Sequence, residues 1–237
     1  MLLSVAGVQS PASASLSVTV VVSAQAAPSR EAIALLDAMR PRQQAIDAEI
    51  AIFDANAPAA FAAAEGSKEL EAEHPGLNDK LFKATRGALV AHAPVSEDRL
   101  RGRLAAILHA DLTPAHLTEL TDFFQSSAGL SIIEQSVTAA TGLQSDQFAD
   151  AVKSEKVKTS HLVGLQAEAA KKVQLTNMQE AALLRFMKTP AWQALVKVRP
   201  KLLKAQVDHA NEPDPELDSA VESATRKVME EVLGPEE

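Results

Sequence analysis

Cysteine is absent from this chain, which excludes disulfides, thiolate metal ligands and a cysteine nucleophile. Tyrosine is absent as well, and with a single tryptophan the aromatic residues amount to only 3 %. Platforms on which bases or sugars would stack are therefore scarce, and leucine, alanine and phenylalanine must supply most of the packing. Positive charge is in the minority: 23 Lys and Arg stand against 31 Asp and Glu, for a formal net charge of −8. A nucleic-acid partner, which demands a basic face, is not expected. Nine glycines in the whole chain leave little room for a phosphate-cradling loop, and neither a nucleophile elbow nor a His-Glu-x-x-His zinc motif occurs. The sequence therefore points to no cofactor and no metal.

What is present suits a globular protein: 237 residues, 46 % of them hydrophobic, enough to bury a sizeable core. Residues 1–26 read as a cleaved signal peptide. Leu16 to Ala24 form an apolar run, and Ala24-Gln25-Ala26 is a small-x-small cleavage site. The run is shorter than the roughly 20 apolar residues a membrane span needs. No Lys or Arg precedes Arg30, so the basic stretch that usually opens such signals is missing. The expectation is a periplasmic or secreted protein whose residues 27–237 form one all-helical domain.

Helical periodicity runs through that domain. Ile33, Leu36 and Met39 mark a helix stopped near Pro41, and Ile46, Ile50 and Phe53 mark a second ending before Pro58. Glu65 to Pro75 reads as loop or frayed helix. Leu77, Leu81, Ala84 and Ala88 share a face that should end at Pro94. Ser96 is then the expected N-cap of a helix striped by Leu100, Leu104, Ile107 and Leu108. At the other end, Asp214 and Pro215 should open a C-terminal helix over 214–233 with Leu217, Val221, Ala224, Val228 and Val232 on one face, stopped by Gly234 and Pro235.

A faint internal repeat lies between. Leu112 to Ile133 matches Leu175 to Val196 without a gap, at a constant offset of 63 residues. Leu112/Leu175, Thr113/Thr176, Leu120/Leu183, Phe123/Phe186, Ser126/Thr189 and Ala128/Ala191 recur, and Ile132 and Ile133 face Leu195 and Val196. Thr113 before Pro114 and Thr189 before Pro190 are N-caps followed by first-turn prolines, and Thr176 with Gln179 makes a capping box. Each copy reads as helix, bend, helix. Phe148, Val152, Leu162, Leu165, Ala169 and Val173 supply apolar positions on linking helices, with a break in Lys153 to Ser160. The expected fold is an all-α, multi-helix bundle built on two related helix-bend-helix hairpins, copy one within 77–141 and copy two within 160–211.

The first copy carries Leu112-Thr113-Pro114, then Leu120, then Asp122-Phe123-Phe124-Gln125-Ser126-Ser127-Ala128-Gly129. It resembles a bacterial envelope family, domain of unknown function two thousand fifty-nine, whose members show a Leu/Phe-Thr start, a Glu-Leu helix and a Phe-Tyr-x-Ser-Pro-x-Gly bend. Phe124 stands where the family has Tyr, Ser127 where it has Pro, and Trp192 replaces the glycine in copy two. The resemblance spans 77–141 and implies an exported all-helical protein; it implies no catalytic residues.

The copies share capping and packing positions but no chemistry: His116, Glu119 and Asp122 face Gln179, Ala182 and Arg185. Glu71 with His74, and His116 with Glu119, have a spacing that shares a helix face, yet neither reaches the ligand count of a metal site. His92, His109, His161 and His209 read as scattered single residues. Lys197, Arg199, Lys201 and Lys204 place four cations within eight residues, a weak patch for an anionic partner or membrane surface and more plainly a solvated face over buried leucines. Pro200 should break or kink the helix there. Trp192 reads as a wedge at a bend.

These features favour a non-enzymatic exported module binding an envelope protein or an apolar ligand. The alternatives are an uncharacterised hydrolase or metal enzyme, and a membrane-surface protein using the basic patch. A concave site distinguishes them: convergent titratable groups favour chemistry, an apolar groove favours binding.

Overall fold

The computed structural model describes residues 27–64, 66–141 and 157–234, and among these every regular element is an α-helix. Residues 1–26, expected to be a signal peptide, and the positions Phe148 and Val152 lie outside the described residues, as does Pro235. In chain order the helices are α1 (Arg30–Met39), α2 (Arg42–Ala63), α3 (Ser67–Glu73), α4 (Leu77–Asp111), α5 (Pro114–Gln125) and α6 (Ser127–Thr141). They are followed by α7 (Thr159–Lys172), α8 (Asn177–Phe186), α9 (Pro190–Asn211) and α10 (Pro215–Leu233). The all-α class expected from the periodicity is the class observed.

The spine is α4, against which α1, α2, α3, α9 and α10 all pack. Its inward stripe is Ala93, Leu100, Leu104 and Leu108, joined in the core by Leu35, Leu36, Leu117, Leu120, Phe124, Phe186 and Leu195. Bidentate ion pairs tie it to α2, with Arg86 on Asp54 at 2.7 Å and Arg42 on Asp98 at 2.6 Å. Phe53 of α2 stacks on Phe82 of α4 with centroids 5.7 Å apart. The C-terminal helix begins and ends where expected: Asp214 accepts from the Leu217 amide at 3.2 Å, Pro215 fills the first turn, and Gly234 closes it at φ 88°. Its stripe of Leu217, Val221, Ala224, Val228 and Val232 is half-buried.

Prolines are where the sequence reading fails. Helix α4 runs unbroken through Pro94, so the two helices expected on either side are one of 35 residues, and Ser96 is mid-helix instead of an N-cap. Helix α2 likewise continues past Pro58 to Ala63, and α9 continues past Pro200 to Asn211. A proline removes one intrahelical hydrogen bond and costs about 3 kcal/mol, which packing along both flanks of α4 offsets. The Glu65 to Pro75 stretch contains the short α3. Glu71 closes it onto α4, accepting from the Gly76 and Asn78 amides at 2.7 and 2.8 Å. Those amides hold the Glu71 carboxyl below its usual range, so this residue is a cap and not the metal ligand considered with His74.

The repeat's local signals are present in both copies. Thr113 accepts from the His116 amide, Thr176 from Gln179 and Thr189 from Trp192, at 3.2, 3.3 and 3.3 Å. At the bends, the Ser126 amide bonds the Phe123 carbonyl at 3.0 Å and the Thr189 amide bonds the Phe186 carbonyl at 2.9 Å, equivalent bonds at the same offset. The packing of the arms differs. Helices α5 and α6 lie against each other, whereas α8 packs on α6, and α9 packs on α4, α5 and α7. Gly129 accounts for the tight first bend: a Cβ there would fall 2.6 Å from Phe124 Cα and closer still to the Phe123 carbonyl oxygen. Trp192 brings a Cβ to the matching place, and a bend carrying it has to open.

Candidate functional site

On α4, His92, Ser96, Arg99 and Arg103 are spaced i, i+4, i+7 and i+11 and so share one face. That face meets the turn from α9 into α10, and there the structure gathers titratable groups that are remote in sequence. His92 Nε2 lies 2.8 Å from Asp214 Oδ2; Arg99 Nη2 donates to the same oxygen at 2.6 Å and lies 3.0 Å from His92 Nε2. The imidazole either donates to Asp214 or accepts from Arg99, according to its tautomer. Ser96 Oγ sits 3.0 Å from His209 Nε2, and Arg103 pairs with Glu212. Partial burial alone would raise Asp214, but the Leu217 amide, His92 and Arg99 together hold its carboxyl below the usual range.

Directly after Ser96 and so on the adjoining face of α4, Glu97 occupies a core position at 2 % exposure. Arg40, the C-cap of α1, grips it bidentately at 3.1 and 2.8 Å, and Arg101 stands 3.9 Å away while donating to the Arg40 carbonyl at 2.7 Å. A buried carboxylate is tolerable only when paired in this manner.

Two tempting chemical readings fail on geometry. His92, Asp214 and Glu216 bring potential ligand atoms within 4.8 Å of one another, but the Arg99 guanidinium already bonds the carboxylate a metal would need. Ser96 with His209 resembles half of a hydrolytic triad. Ser96, however, lies mid-helix, where the backbone amides are committed to the helix and cannot form an oxyanion hole. The other ring nitrogen, His209 Nδ1, is buried with no hydrogen-bond partner among the described residues, so no acid among them orients the base. The pair joins α4 to α9.

Beside this cluster opens a cleft between α2 and α9, floored by α4. Its apolar chamber, about 430 Å³, is walled by Leu36, Met39, Ile52, Leu104, Val137 and Leu202. A second chamber of about 470 Å³ continues past Ala45, Ala48, Ile52 and Gln206, which both share, to Glu49, Ser96, Glu97, Arg99, His209 and Asp214. The size is that of a small-molecule pocket. The sequence held a signal for part of this arrangement, the helical spacing of His92, Ser96 and Arg99, but nothing in it placed His209 or Asp214 opposite.

The residues singled out from the sequence sit elsewhere. Thr113, Pro114, Thr176, Thr189 and Pro190 are caps and first turns, and Ser126 accepts from the Gly129 amide at 3.2 Å. Leu120, Phe124 and Phe186 are core, while Phe123 and Trp192 are half-buried against it. His116 lines a shallow hollow with Asp111, Lys197 and Lys201. In the basic patch, Lys201 pairs with Asp111 at 2.7 Å, Lys204 with Asp208 at 2.6 Å and Arg199 donates to Gln166 at 2.8 Å. Val198 and Leu203 are buried beneath them. No helix among the described residues is long and apolar enough to cross a membrane. Comparison of the chain with protein-family models, with curated proteins and with solved structures finds no match in any of the three.

Proposed function

We propose that this is a non-enzymatic, exported binding module that holds a small apolar ligand in the cleft between α2 and α9. The observation that carries the reading is the continuity of an apolar chamber with a polar mouth in which the ion pairs are already formed. Groups arranged for catalysis are left poised for substrate; here Arg99, Arg103 and Arg40 are spent on Asp214, Glu212 and Glu97. Export rests on Leu16 to Ala24 with Ala24-Gln25-Ala26, and the envelope family on the Leu112 to Gly129 motif.

Titration calorimetry with octan-1-ol, a neutral apolar probe, tests the binding reading. Saturable binding that disappears in a folded Ala48→Trp variant, whose indole would fill the region common to both chambers, is the expected result. Absence of binding to the native chain would refute it. N-terminal sequencing of the natively expressed protein checks export, with the mature chain expected to begin at Ala27.

A further inference from the structure

We infer that the occupant of the cleft is an organic monocation with an apolar body, its ammonium group set against the carboxylate of Glu49. This rests on the binding reading above and names the class of ligand.

The argument is one of charge compensation within the polar chamber. Its cations are Arg40 and Arg99, and its other carboxylates are Glu97, Glu212 and Asp214. Arg40 holds Glu97 at 2.8 Å, Arg99 holds Asp214 at 2.6 Å, and Arg103 from the next turn of α4 holds Glu212. The carboxylate of Glu49, on α2 and lining the same chamber, has no hydrogen bond and no ion pair among the described residues. It is half-buried, too sheltered for water to compensate its charge fully. The charged groups around it are committed elsewhere: Arg40 at the end of α1 to Glu97 and His92 to Asp214, while Glu97 itself repels it. Burial first, and the Glu97 charge second, push the Glu49 carboxyl up, against the pull of Arg40 and His92. A cation bound beside Glu49 would offset the charge that burial and Glu97 disfavour.

The apolar chamber decides what kind of cation. It adjoins Glu49 through Ala48 and Ile52, one residue before it and three after it on α2. A ligand whose charge rests on Glu49 therefore directs its body along Ile52 toward Leu104 and Leu202. A bare metal ion would leave that chamber unfilled, and an anion would meet Glu49 and Glu97 with no uncommitted cation to receive it. The His209 Nδ1 atom takes no part, being sealed from the chamber.

Calorimetric titration of the full chain at about pH 8, where an alkylammonium and a carboxylate probe are both charged, uses three ligands of equal chain length: octylammonium, octan-1-ol and octanoate. Octylammonium should bind roughly tenfold or more tighter than the alcohol, and octanoate weakest, since a partly desolvated opposite charge is a strong partner. Glu49→Gln, isosteric and expected to fold, should bring octylammonium down to the alcohol's affinity without altering the latter; Glu49→Asp should keep much of the preference. Equal binding of all three probes, preference for octanoate, or an unchanged preference in Glu49→Gln would overturn this inference while leaving the apolar binding reading intact. Binding of none of them would overturn both.

Discussion

Phe123 and Phe186, the equivalent residues of two segments 63 positions apart, stack on one another, their ring centroids 3.8 Å apart and their planes within 4°. Phe124 and Trp192 add edge-on contacts to Phe186 at 6.5 and 5.8 Å. The two bends thus meet in a single aromatic cluster, with Phe186 at its centre and buried and Phe123 at its margin and half-buried.

That asymmetry sets an ordered expectation. Phe186→Ala should cost about 3–5 kcal/mol, as for a buried phenylalanine, and Phe123→Ala distinctly less. The double variant should fall short of the sum by about 0.5–1.5 kcal/mol, the range for a stacked pair. Urea unfolding of the three proteins measures this; strict additivity would show that the stack contributes nothing beyond burial.

Gly129→Ala should destabilise by about 1–3 kcal/mol through overpacking. A Cβ there meets main-chain atoms of Phe123 and Phe124, which cannot move aside as a flexible side chain would. The same exchange at Gly102, which a Cβ would meet with nothing within 4 Å, should leave stability unchanged or raise it slightly. Thermal melts of both variants check the contrast.

Removing the Glu97 carboxylate deprives Arg40 and Arg101 of their shared partner. Breaking a buried pair costs about 3–5 kcal/mol. Glu97→Ala should lie near the lower bound, because Arg40, 37 % exposed, can turn to water while Arg101, 11 % exposed, keeps its existing pair with Asp37. Since Arg40 closes α1, faster amide hydrogen exchange in α1 than in α10 should accompany the loss.

His209 makes stability pH-dependent in a defined sense. Burial, then Arg103 and Arg99, hold its imidazole below its ordinary value of 6.5, outweighing Glu212 and Glu97. The unfolded chain therefore takes up this proton first as the pH falls. The stabilising contribution is complete above about pH 6.5 and is lost as the pH descends toward the lower folded value. Unfolding free energies measured at intervals across this window should decline for the native chain and decline less for His209→Gln; parallel profiles would refute the assignment.

How much of this was legible follows from the range of the interactions involved. The caps at Thr113, Thr176, Thr189 and Asp214 were, because each hydroxyl or carboxylate bonds an amide three residues on and the residue types that do so are few. Apolar periodicity likewise reveals a helix from its own face, and α10 shows its stripe in the structure as in the sequence. The all-α class follows from such local terms. The absence of cysteine and the scarcity of aromatics restrict the chemistry regardless of how the chain folds.

Tertiary structure decided the rest. Pro94 disfavours a helix by about 3 kcal/mol, a local cost that ends the helix unless distant partners outweigh it, and α2 and α10 were not visible as partners from residue 94. Glu97 falls in an apolar stripe, where Arg40, 57 residues away, with Arg101 beside it, makes it tolerable. Ser96 reads as a cap by residue type and is instead held to His209, 113 residues on, while His92 meets Asp214 across 122. Glu49, an unremarkable acidic residue on α2 in the sequence, stands out only because the fold pairs its neighbours and leaves it beside an apolar chamber. Local hydrogen bonds and periodicity act within a turn or two of helix and are written in adjacent residues; which charges neutralise one another depends on which helices become neighbours, and that is set by the packing of the whole chain.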